Sequence, residues 1–108
     1  MRRIPILLLP LVALLLAAAG PDGRVIADNG NGHGAVACTT CHGQHFEGNP
    51  AMHAPALAGL SAATILARLA HYAGPTGHNA MMRQVATALS PAERRAVATY
   101  LAGLPQPQ

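Results

Sequence analysis

Lysine and tryptophan are absent from this 108-residue chain, phenylalanine occurs once and tyrosine twice. There are two cysteines and four acidic residues, and no stretch alternates polar and apolar residues over a strand's length. Each scarcity excludes something. Two cysteines cannot make the multi-disulfide framework of a small secreted scaffold. The missing alternation argues against a sheet, so the fold class is all-α with long loops. Phe46, Tyr72 and Tyr100 are the only core aromatics, and most other apolar residues are Ala and Leu. A small domain built this way buries little apolar surface by itself, so its middle is expected to be filled by something other than side chains. The formal charge of +3 rests partly on Arg2 and Arg3. Without them five arginines face four acids, a net +1, which gives no support for nucleic-acid binding.

What is present begins with a leader. Arg2 and Arg3 precede an apolar run over 4–19 that closes on Ala17-Ala18-Ala19. Charged, greasy, then small is the order of a secretory signal peptide, assigned here to 1–19 with the working domain over 20–108. The uncharged stretch over 4–21 is near the lower limit for crossing a bilayer, so a retained membrane anchor is the alternative. No cysteine follows the run for lipid attachment. Cleavage before Gly20 is preferred to cleavage after Ala27, which would remove the short first helix read over 22–28.

Three further helices are legible. Ser61 caps a helix over 61–73 that Gly74 and Pro75 end, with Ala62, Ile65, Leu66, Leu69 and Ala73 on one stripe. A short helix is expected over 80–88. Ser90-Pro91-Ala92-Glu93 is a capping box with proline at the first helical position. Val97, Tyr100, Leu101 and Leu104 then recur at helical spacing, with Pro105 as the stop. The segments 29–34 and 43–59 are Gly-rich and read as loops.

Cys38-Thr39-Thr40-Cys41-His42 carries the chemistry. C-x-x-C-H is the attachment pattern of a c-type haem. Two thiols three residues apart can each add to one vinyl group, and the following histidine is then held where a ring nitrogen reaches the iron. A redox-active C-x-x-C belongs to a strand-rich fold, structural zinc needs two more ligands, and a disulfide across two residues closes too small a loop to stabilise much.

Around this motif the sequence resembles the small bacterial class I cytochromes c, in particular single-haem relatives of the two-haem periplasmic cytochromes. Cys38 to Gly43 reads C-x-x-C-H-G, with Gly48 and Asn49 at the family spacing. Ala54-Pro55-Ala56-Leu57-Ala58-Gly59 resembles the family's A-P-x-L-A-G segment. Met82-Arg83-Gln84-Val85-Ala86-Thr87-Ala88-Leu89-Ser90 resembles M-x-x-V-A-x-x-L-S, and Tyr100-Leu101-Ala102-Gly103-Leu104 its closing helix. The resemblance implies the class I cytochrome c fold around one haem c, bound through Cys38 and Cys41. It implies His42 as proximal iron ligand, oriented by the Pro55 carbonyl, and Met82 as distal ligand with Met81 as its rival. Met52 is read as packing. A histidine, first of all His78, is the alternative distal ligand. Two features depart from the family. Thr76 stands where relatives often carry an arginine for a haem propionate, leaving Arg83 or Arg68 as substitutes, and Ile65 replaces the usual aromatic.

A six-coordinate His/Met haem implies a one-electron carrier rather than an enzyme. It would work in the periplasm among redox proteins such as a respiratory complex, a dehydrogenase or a terminal oxidase. Two alternatives remain: a gas- or peroxide-reactive haem with a labile Met82, and a fixed cytochrome subunit of a larger oxidoreductase. Contact with a membrane is expected only if 1–19 is retained.

Overall fold

A computed structural model describes residues 20–107; the leader assigned to 1–19 lies outside the described residues. Among the described residues five α-helices and one 3-10 turn follow in order: α1 Gly23–Asn29, α2 Thr39–His42, the turn Pro50–Met52, α3 Ala62–Ala73, α4 Ala80–Ala88 and α5 Pro91–Ala102. The only extended pairing among the described residues is an isolated antiparallel bridge between Asn49 and Ala54. None of the described helices is long and apolar enough to cross a membrane.

The caps at Ser61 and Ser90 are where the sequence puts them. Asp22 accepts from the backbone of Arg24 and Val25, and Ser61 accepts from the Thr64 N–H. Ser90 and Glu93 form the reciprocal capping box. Helix α5 stops sooner than its proline suggests. It ends at Ala102, and the Gly103 and Leu104 N–H groups turn back to the Tyr100 and Leu101 carbonyls at 3.1 and 3.2 Å. Glycine is a poor helix former, and this tightened turn satisfies the last carbonyls.

Helix α1 packs on α5, and α3 packs on both α4 and α5. The first crossing depends on Gly23, where a Cβ would lie 2.0 Å from the Ala96 carbonyl oxygen. Fully buried alanines fill the narrow spaces, among them Ala27, Ala86 and Ala98. Phe46 and Leu101 are the largest fully buried side chains, and Phe46 meets Tyr100 edge-on at 6.2 Å.

Asn31 holds the glycine-rich loop to the α4–α5 corner. Its Nδ2 donates to the Ala88 carbonyl at 2.8 Å and to Glu93 at 3.2 Å, while its Oδ1 accepts from the His33 and Ala35 N–H groups. The Cys38 N–H donates to the Ala27 carbonyl at 2.9 Å. The cysteine turn is thereby fixed to α1, and through α1 to α5.

Candidate functional site

The cysteine motif folds as a single helical turn. The Cys41 and His42 N–H groups both donate to the Cys38 carbonyl, at 3.4 and 3.0 Å. This turn sets the two thiols three residues apart on one side. Both cysteines are free and half-buried, and both line one cavity together with His42. Burial pushes the Cys38 thiol up to about 11. A redox-active C-x-x-C needs the opposite shift, so that alternative loses support. Among the described residues no three His, Cys, Asp or Glu side chains are grouped to hold a metal ion, so the cysteine pair lacks the further ligands that structural zinc needs.

His42 is buried, and its Nδ1 lies 2.7 Å from the Pro55 carbonyl oxygen. A carbonyl only accepts, so Nδ1 carries the proton and Nε2 keeps its lone pair. Nε2 has no hydrogen-bond partner among the described residues, where no buried side-chain polar atom is left unpartnered. Nε2 is therefore open to the cavity that His42 lines.

Pro55 reaches the histidine because two backbone features deliver it. The Asn49–Ala54 bridge, bonded both ways at 2.8 and 3.1 Å, closes the 3-10 turn and starts the next segment at a fixed angle. Gly48 then lets that segment come close. Its φ is +92°, its N–H donates to the His42 carbonyl at 2.8 Å, and a Cβ there would lie 2.9 Å from the Ala56 nitrogen.

The cavity has a volume of about 330 Å³. That places it among small-molecule sites, which run from roughly 300 to 1,000 Å³. Ile65, Leu69, Val85 and Leu101 are among its apolar walls. Met82 lines it from the first turn of α4, where Asn79 Oδ1 caps the helix by accepting the Met82 N–H at 3.0 Å. Met82 is half-buried and packs on the core, whereas Met81 is 54 % exposed at the rim. Sequence and structure thus bring Cys38, Cys41, His42, Pro55 and Met82 to one cavity.

Other expectations land elsewhere. Met52, read as packing, is 52 % exposed at the cavity mouth, because its short turn projects it away from the core. His78 is exposed and does not line the cavity; apart from His42, His53 is the histidine that does. Arg83 is engaged by the Gly74 carbonyl at 2.7 Å. Arg68, named above as a substitute propionate partner, lines the cavity, and so does Tyr72, which the apolar stripe leaves out. They lie three and seven residues after Ile65, which is the signal that finds them.

Free thiols on one turn, a histidine with one ring nitrogen open, a methionine sulfur and apolar walls together suit a flat, covalently held tetrapyrrole. Comparison with known proteins agrees. The family described as Cytochrome c matches residues 27–105. A thiosulfate dehydrogenase electron acceptor of Stutzerimonas stutzeri (strain A1501) is 38% identical over 98 residues, covering 88% of this chain and 45% of that protein. A solved thiosulfate dehydrogenase from Marichromatium purpuratum superposes with a TM-score of 0.71 at 34% identity, over 78% of this chain and 18% of that one. Cytochrome c4 of Acidithiobacillus ferrooxidans gives a TM-score of 0.70 at 29% identity, over 81% and 54%. The chain therefore spans about half or less of the length of each of these relatives.

Proposed function

Because this chain belongs to the cytochrome c family, we propose that it carries single electrons on one covalent haem c and serves as acceptor for a periplasmic thiosulfate-oxidising dehydrogenase. Family membership implies covalently bound haem c. The bound haem supplies a one-electron couple at its iron. The chain's residues hold and tune it. Cys38 and Cys41 fasten the ring edge through thioethers. His42 would hold the iron through Nε2, and the Pro55 carbonyl fixes its tautomer and raises its basicity. Met82 would supply a thioether ligand, which favours the reduced state and raises the potential. With His42 and Met82 both as ligands, the chain would work as a carrier rather than an enzyme. The apolar walls exclude water, and the exposed rim keeps one edge within reach of a partner.

One contact carries most of this reading: the 2.7 Å bond between His42 and Pro55 beside two free cysteines on the same cavity. The thiosulfate assignment is finer and rests on what the acceptor from S. stutzeri is named for. Stopped-flow mixing with a thiosulfate dehydrogenase and thiosulfate tests it. Reduction within a few turnovers is expected; no reduction, with ascorbate still reducing the protein, would reject that partner.

A second reading makes the chain a fixed cytochrome subunit. The similar region occupies only 18% of the M. purpuratum dehydrogenase chain, so such a domain does occur within a longer chain. Cleavage of the leader expected over 1–19 would favour the free carrier. Recovering the native protein from periplasm as a stable complex with a dehydrogenase would favour the subunit.

A further inference from the structure

We propose that Arg83 is a positioning residue for the distal ligand: its guanidinium latches the first turn of α4, and Met82 with it, to the end of α3. The inference rests on the reading of Met82 as a ligand given above. Helix α4 is anchored unevenly. Its buried residues, Val85 and Ala86, lie in its second half. In its first turn only Met82 is even half-buried, and its neighbours Met81 and Arg83 are exposed. Apolar burial therefore does little to hold the turn that carries Met82, and segments with few buried contacts open locally before the rest of a fold does.

Polar contacts hold this turn instead. Asn79 Oδ1 accepts the Met82 N–H at 3.0 Å, and the Asn79 carbonyl accepts the Arg83 N–H at 2.8 Å. These two bonds join α4 only to the loop that leads into it. Arg83 reaches past that loop: its Nη1 donates to the Gly74 carbonyl at 2.7 Å, at the C-cap of α3. A charged donor makes such a bond short and strong. The same carbonyl accepts the Gly77 N–H at 3.3 Å, so the start of the loop, its middle and α4 converge on one oxygen. Gly77 lies so close to α3 that a Cβ there would come within 2.6 Å of the Tyr72 carbonyl oxygen. The other side-chain tether in this part of α4 is weaker. Gln84 donates to the Gly34 carbonyl at 3.3 Å, without a charge.

The latch sits where it bears on the cavity. Tyr72, two residues before Gly74, and Met82, one residue before Arg83, line the same space. A bond between Arg83 and Gly74 therefore fixes the spacing of those two walls. Without it the first turn of α4 can swing out on the loop over 74–79, carrying the Met82 thioether away while the buried second half of α4 stays in place. Arg83 thus sets how rarely the distal side stands open, and with it how well the carrier is kept from reacting with small ligands.

The test uses the holoprotein with R83M, R83K and, as a remote control, R95M; Arg83 and Arg95 are both exposed, so the variants should fold. Carbon monoxide is the probe, because it can bind the reduced protein only where Met82 has left. At sub-saturating carbon monoxide, R83M should bind it roughly 2- to 12-fold faster than wild type, the effect of losing one hydrogen bond on the open population. R83K keeps a charged donor and should recover most of the difference, and R95M should match the wild type. In the oxidised protein the methionine-to-iron band should fade at a lower temperature in R83M, while the helices melt as in wild type. A merely structural role would move band and helices together. An R83M protein that keeps the wild-type rate and band, or an R83K protein as fast as R83M, would overturn the latch and leave the carrier function intact. A wild-type protein without the methionine-to-iron band would overturn the Met82 reading as well.

Discussion

Replacing Gly48 with alanine should damage the protein in two separable ways. The first is backbone strain, because φ at this position is +92°. A side chain in the left-handed region costs roughly 1–2 kcal/mol, offset by about 0.4–1 kcal/mol from the stiffer unfolded chain. The second is collision. The new Cβ would lie 2.9 Å from the Ala56 nitrogen, 3.1 Å from the Ala54 carbonyl oxygen and 3.2 Å from the Pro55 carbonyl carbon. These are backbone atoms that no rotamer change can move aside, and overpacking of this kind costs about 1–3 kcal/mol. Gly32 provides the control, since its φ is +75° and a Cβ there meets nothing within 4 Å. Gly32→Ala should therefore show strain alone, and Gly48→Ala should lose about 1–3 kcal/mol more. Guanidinium titration of the two holoproteins measures the difference. The displaced Pro55 segment should also loosen the His42 bond, making the imidazole a weaker donor and raising the reduction potential of Gly48→Ala. Equal stability losses for the two variants, with no change in potential, would refute the close-approach argument.

Leu101 is 1 % exposed at the centre of the helix crossing, so Leu101→Ala should cost about 2–5 kcal/mol by chemical denaturation. Backbone N–H groups hold the Glu47 and Glu93 carboxyls below their ordinary value of 4.5. The folded state favours the charged forms, so this stabilisation is complete above that value and is lost as pH falls through the lower folded values. Thermal unfolding followed from pH 6 downwards should show the loss, and Glu93→Gln, which keeps the capping bonds but cannot titrate, should flatten part of it. Cys38→Ala with Cys41→Ala should abolish haem staining on a denaturing gel, whereas the wild type should carry the mass of one haem.

Local signals made much of this molecule legible. Ser61 and Ser90 cap helices whose first residues follow from the chain itself, and the five-residue motif at Cys38 identifies its own chemistry. The family segments around Pro55 and Met82 placed both on the cavity before any geometry was known. What the sequence hid depends on how distant segments meet. Gly23 looks like an ordinary helix start until Ala96 is found against it, and Gly48 like a loop residue until the Pro55 segment crosses it. Arg83, beside Met82, is the more inviting propionate partner in sequence, but the end of α3 comes close enough for the Gly74 carbonyl to engage it. Met52 is apolar, and only the outward turn it occupies explains its exposure.

The central claim is a haem held between His42 and Met82. The near-infrared spectrum of the oxidised protein, matured in a host that attaches haem, tests it most directly. The account predicts a weak methionine-to-iron charge-transfer band that Met82→Leu abolishes and Met81→Leu leaves in place. A low-spin wild-type spectrum without that band, or a band lost only with Met81, would contradict it.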